Sequence, residues 1–167
     1  ATMTDVPWAL QIAGKGPLEP VLRDAVATAG LADRVTWHGS LPNRQVGGLL
    51  ASCDLLVLPS RFDGWGVVVN ESLSAGTPVV CSDTCGAADL LASPQLGQTF
   101  RSGDVDSLAR AIRRQIAQGR PTGNTRGVIR DRARGFAPVS VAAYFVDVIR
   151  AVRDRSRPPC PPWCCDA

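Results

Sequence analysis

Apolar positions along this chain follow two rhythms. Short unbroken apolar runs, WALQIAG (8–14), RVTWHG (34–39), DLLVLPS (54–60), TPVVCSD (77–83) and LGQTF (96–100), stand between segments where apolar residues recur every three or four positions. An unbroken run of this length predicts a strand covered on both faces, and the wider spacing predicts a helix with one apolar stripe. The first helix is expected from Pro17, with Leu18, Leu22, Val26 and Ala29 on one face, and it ends at Gly30. A second starts at Pro42-Asn43 and carries Val46, Leu49 and Leu50, and a third, VVVNESLSAG (67–76), is closed by Gly76. A Gly-Ala-Ala turn and a short DLL segment follow the fourth strand. Asp104 is placed to cap a helix with Leu108, Ile112 and Ile116 on one face. Residues 119–127, rich in Gly, Pro and Thr, read as loop, and a last helix over about 140–155 presents Val141, Phe145, Val148 and Val152.

Strands and helices thus alternate, and the strands lack polar alternation. The pattern predicts an α/β fold, a Rossmann-like parallel sheet with helices on both faces. In such sheets ligands bind beyond the carboxyl ends of the strands, so the loops 14–17, 39–42, 59–66 and 82–88 are expected at one edge. One domain is expected over residues 1–155, incomplete at its N-terminus, and a disordered Pro/Cys-rich tail over 156–167.

Composition adds little to this picture and charge adds more. At 45% apolar residues the chain is globular, and no unbroken apolar run approaches the roughly 20 residues of a membrane span. The net charge of +3 hides an asymmetry: residues 1–100 carry five basic and nine acidic side chains, residues 101–157 thirteen arginines and five aspartates. Arg110, Arg113, Arg114, Arg150 and Arg153 read as solvated faces of amphipathic helices, without the interleaved aromatics of a base-stacking surface. No nucleic-acid partner is expected, and peripheral contact with a membrane is the remaining use of that charge. Cys53, Cys81 and Cys85 sit in or beside apolar segments and read as small buried hydrophobes. Cys160, Cys164 and Cys165 lack the paired spacing of a zinc site, and His38 is the only histidine, so no metal is expected.

The chemistry concentrates in PSRFDGWGVVVNE (59–71). A strand ends at Pro59, a loop passes Asp63, Gly64 and Gly66 allow close backbone approach, and a helix begins near Val67. The free N–H groups and positive dipole end of that helix make a ready phosphate site. Asp63 and Glu71 flank it, and carboxylates accept hydrogen bonds from vicinal hydroxyls, so a sugar or ribose beside a phosphate is the natural ligand.

The stretch DLLVLPSRFDGWGVVVNESLSAGTPVVCSD resembles the donor-binding segment of retaining GT-B-fold glycosyltransferases of the family-four group. That segment has a proline after the apolar strand, an E-x7-E pair, and an Ala-x-Gly-x-Pro-Val strand start. IAGKGPL (12–18), RVTWHGSLP (34–42), SDTCGAADLL (82–91) and LGQTFRSGDVDSLARAI (96–112) agree in order, so the resemblance spans residues 8–155. It implies a nucleoside-diphosphate sugar as co-substrate, no other cofactor, and retaining transfer of a hexosyl group to a hydroxyl acceptor in the cytoplasm.

By resemblance Glu71 holds the ribose hydroxyls and Asp63, one methylene shorter than the usual glutamate, contacts the transferred sugar. Gly66, Val67 and Val68 meet the diphosphate, Gly39 and Ser40 lie near the nucleobase, Gly64 and Trp65 shape the sugar side, and Lys15 is a candidate phosphate contact. His38 is given no catalytic role. The family's G-R…K-G segment and acceptor domain have no counterpart here. The expectation is therefore a donor domain that is poorly active alone, or, as the alternative, an inactive nucleotide-binding module that needs a separate N-terminal domain.

Overall fold

The computed structural model describes residues 7–163. The chain divides into two compact units, residues 1–46 and 47–167, and each is described by itself.

In the first unit β1 (Leu10–Ala13) pairs in parallel with β2 (Val35–Gly39), with Leu10 opposite Val35 and Ile12 opposite Trp37. The crossover is α1 (Glu19–Thr28) followed by a 3-10 turn at Ala32–Arg34. Helix α1 starts two residues later than Pro17 predicts, so Pro20 occupies its first turn, where a missing N–H costs nothing. Arg23 pairs with Glu19 at 2.8 Å and lays its guanidinium 4.5 Å from the Trp37 ring centre. No described residue before Leu50 is buried. Helix α2 (Asn43–Ser52) crosses the division between the units.

The second unit is built on a parallel sheet in the order β3–β4–β5, with β3 at Leu56–Leu58, β4 at Val79–Ser82 and β5 at Gly97–Phe100. Every residue of β4 is buried, the apolar Val79, Val80 and Cys81 and the hydroxyl-bearing Ser82 alike. The pleat of that strand divides the core in two. Val79 and Cys81 join Val69 and Leu73 of α3 (Val67–Ala75), Leu90 of the 3-10 segment Gly86–Leu90, and Ile129 and Ala133. Val80 joins Phe100 and Ala111 on the other face, where Leu108 and Ile112 of α4 (Val105–Ala117) cover it. Asp104 caps α4 as expected, accepting from the Ser107 N–H at 2.8 Å. The parallel α/β sheet with helices on both faces is thus present in this unit.

Residues 119–127, expected as loop, are a loop only to Pro121. Helix α5 (Gly123–Ala133) begins inside that stretch, with Thr122 accepting at its hydroxyl from the Thr125 N–H at 3.3 Å. Its first turn is poor in helix formers, and the fully buried Ile129 and the buried Ala133 supply the packing that overrides propensity. Helix α6 (Pro138–Arg153) starts at a proline, two residues before its predicted start. By length and composition the helical run Gly123–Arg153 is apolar enough to cross a membrane. It is, however, α5, a 3-10 turn and α6, and α5 is anchored in the core through Ile129.

Arg110, Arg113, Arg114, Arg150 and Arg153 are exposed, as the amphipathic reading has them. Beyond Ser156 the described residues form no helix or strand, and the last of them is Trp163. Its ring meets Tyr144 edge-on at 5.4 Å and packs against the core. Cys160 is an exposed free thiol, and Cys164 and Cys165 lie outside the described residues.

Candidate functional site

The loops after β3, β4 and β5 are tied into one edge. Asp63 N–H donates to the Thr84 carbonyl at 3.4 Å and the Asp63 carbonyl accepts from Gly86 N–H at 3.1 Å, continuing the β3–β4 pairing one bridge further. Thr84 and Ser102 hydroxyls both donate to the Arg61 carbonyl, at 2.8 and 3.1 Å. The Asp83 carboxylate accepts from Ser102 N–H at 2.9 Å. These bonds fix the loop that carries the acid and the glycines.

Helix α3 rises from this edge with Gly66 as its N-cap residue, in the left-handed region at φ +83°. No side chain caps the helix, so the first backbone donors are not closed off by the chain itself. Gly66 is buried, and a Cβ there would collide with the Cys85 sulfur and lie 3.3 Å from Leu58. Only glycine satisfies both the backbone angle and the space. Val69 N–H donates to the Gly66 carbonyl at 2.8 Å, leaving the Val67 and Val68 amides at the uncapped start.

Asp63 is half-buried just ahead of α3, and its Oδ1 accepts from the Trp65 N–H at 3.2 Å. Glu71 lies in the second turn of the helix, exposed and without a hydrogen bond or ion pair among the described residues. Val67 is exposed and Val68 half-buried. An open hollow of about 310 Å³ adjoins the loop, and Phe62, Asp63, Gly64, Asp83, Thr84 and Asp89 are among the residues that line it. Glu71 is not among its lining residues.

Thus Asp63, Gly64, Trp65, Gly66, Val67, Val68 and Glu71 are brought to one loop and helix start. The other three candidates lie in the first unit. Gly39, at φ +62°, and Ser40 follow β2, and Gly14 N–H donates to the Gly39 carbonyl at 2.7 Å. The Lys15 chain crosses that glycine, its Cε 3.1 Å from where a Cβ would sit. His38 is occupied structurally, its Nε2 2.6 Å from Gln11 Oε1 on the neighbouring strand.

Phe62, Asn70, Asp83 and Asp89 were not singled out from the sequence, and only their places in the three-dimensional edge mark them. Cys81 offers no nucleophile. Cys81 is fully buried, and burial, then the neighbouring Cys85, pushes its thiol up to about 12.

Comparison with known proteins bears on the family and the fold. A family model described as glycosyl transferases group 1 matches residues 2–136. The chain is 32% identical over 110 residues to a 2-deoxystreptamine glucosyltransferase of Streptomyces kanamyceticus. It is 36% identical over 100 residues to a 2-deoxystreptamine N-acetyl-D-glucosaminyltransferase of Streptomyces fradiae. These alignments cover 66% and 60% of this chain, and 28% and 24% of the relatives. Among solved structures, the apo lipopolysaccharide outer core galactosyltransferase WaaB superposes with a TM-score of 0.73 at 23% identity, over 87% of this chain and 41% of that one. Anabaena HepE in complex with UDP superposes at 0.71 and 22% identity, over 86% and 41%. The chain therefore spans less than half the length of each of these four proteins.

Proposed function

The chain belongs to the glycosyl transferases group 1 family, and from that premise we propose that it binds the nucleoside-diphosphate sugar of a retaining hexosyl transfer to a hydroxyl acceptor. The observation that carries the reading is the uncapped start of α3, held open by Gly66 and flanked by Asp63 and Glu71. Backbone donors at Val67 and Val68, with the dipole of α3 behind them, receive the diphosphate and stabilise it as it departs, so no metal is required. Glu71, without a partner among the described residues, accepts from the ribose hydroxyls. Asp63 keeps one carboxylate oxygen on the Trp65 amide and presents the other to a hydroxyl of the transferred sugar.

Anabaena HepE was solved with UDP and with UDP-glucose, which supports trying a uridine donor first. The same proposal puts the reaction in the cytoplasm, with any membrane contact peripheral.

A second reading has its own support. The stretch aligns with 28% of the glucosyltransferase it matches, and the second reading is that it is a donor-binding module working with a separate acceptor domain. Transfer requires both substrates held together, so this module alone binds without catalysing.

Calorimetry with UDP, GDP and ADP tests the donor reading. At least one should bind, and Glu71→Ala should weaken it by about 1.5–3 kcal/mol, the range for a hydrogen bond to a charged group. No binding at millimolar nucleotide would refute the site, whereas binding indifferent to Glu71→Ala would refute only the ribose role. Mixing the chain with a matching N-terminal domain and assaying transfer separates the module from the self-sufficient enzyme.

A further inference from the structure

We propose that Asn70 is a positioning residue, holding the Trp65 indole as an apolar platform for the sugar ring of the donor. The inference rests on the donor reading above and deepens it at the same site.

Every polar group of Trp65 is committed. Its N–H donates to Asp63 Oδ1 at 3.2 Å, and its carbonyl accepts from Ala87 N–H at 2.7 Å and from the Cys85 thiol at 3.2 Å. The indole Nε1–H donates to Asn70 Oδ1 at 3.1 Å, one turn into α3. An indole nitrogen is a donor only, so this bond also fixes which way the Asn70 amide faces.

What remains uncommitted is the apolar surface of the ring, on a residue that is 47% exposed. A tryptophan that serves only to anchor a chain segment packs its ring, as the half-buried Trp163 does against Tyr144 and the core. Here the ring is pinned at both ends and left facing water. Two further large apolar side chains stand open on the same loop and helix start, Phe62 at 80% and Val67 at 62% exposure. An apolar rim around an uncapped helix start fits a ligand with a charged end and a ring that is hydroxylated at its edge and apolar on its C–H face. Aromatic side chains with a fixed polar handle suit that contact. Asp63 is coupled to the same device, because the oxygen that accepts from Trp65 orients the other toward solvent.

The test separates the sugar from the nucleotide. Calorimetry on the intact chain compares UDP with UDP-glucose, or GDP with GDP-mannose where guanosine diphosphate is the binder. Asn70→Ala should lower nucleotide-sugar affinity about three- to tenfold while leaving the diphosphate within about twofold. Asn70→Gln, which keeps an acceptor for the indole, should recover part of the loss, and circular dichroism confirms folding of each variant. The tryptophan fluorescence change on adding the nucleotide sugar should vanish in Trp65→Phe. Equal weakening of both ligands, no weakening of either, or an undiminished fluorescence change in Trp65→Phe would overturn the proposal. Failure of wild type to bind any diphosphate would overturn it together with the donor reading, whereas diphosphate binding with an unaltered sugar increment overturns this inference alone.

Discussion

Gly66 shows how much a single residue decides here. Its positive φ costs an ordinary residue about 1–2 kcal/mol, and the space where a side chain would go is filled by the Cys85 sulfur. Gly66→Ala should therefore destabilise the chain by about 2–4 kcal/mol in urea unfolding, combining backbone strain with overpacking. Adding Cys85→Ala vacates the sulfur's place, so the double variant should be more stable than the sum of the single losses predicts. Strict additivity would show that the steric part of the argument is wrong. The sequence exposes half of this story. A glycine between an acid and an apolar helix start is legible as a close backbone approach, and so are Asp63 and Glu71 at their spacing. Cys85 beneath the glycine, and Asn70 behind Trp65, are not legible, because side-chain contacts across a turn leave no periodic trace in the chain.

At the scale of elements, the alternation of apolar runs and amphipathic stripes locates the strands within a residue or two, since a fully buried strand such as β4 carries no charge, and its one hydroxyl, Ser82, meets that of Thr84 at 3.2 Å. Helix α5 is the exception. Its start reads as loop because Gly123, Asn124 and Gly127 are poor helix formers, and what holds it is tertiary. Arg126, with its side chain 18% exposed, donates to the Cys53 carbonyl at 2.8 Å and to the Thr77 hydroxyl at 3.0 Å. Thr77 in turn donates to the Leu50 carbonyl at 2.7 Å. One guanidinium thus ties α5 to the carbonyl end of α2 and to the turn between α3 and β4. Arg126→Met keeps the volume and removes the donors, so it should cost about 1.5–3 kcal/mol in the urea transition. It should also lower the 222 nm ellipticity of the native baseline as the start of α5 frays. A variant as stable as the parent would mean that packing of Ile129 alone holds the helix.

Over the whole molecule, burial is divided unevenly. Every buried residue among those described lies at or after Leu50, whereas the strand pair β1–β2 and helix α1 bury none. Amphipathic spacing alone gives α1 and α3 equal standing, because periodicity reports that a stripe exists and not what covers it. Backbone amides in elements without a buried core open at less than the free energy of global unfolding. In native-state hydrogen exchange, the amides of Val80, Cys81 and Ser82 in β4 should exchange only through global opening. Those of β1 and β2 should exchange through a local opening about 2 kcal/mol or more below it. Increasing urea should then slow-converge the two groups, because the local opening exposes little surface and depends weakly on denaturant while the global one depends strongly. Equal protection of β2 and β4 in water would contradict this ordering and show that residues 1–46 share the stability of the second unit. If the ordering holds, the loop and helix start around Gly66 sit on the sheet that opens last, so Asp63 and the start of α3 keep their geometry while other parts of the chain fluctuate.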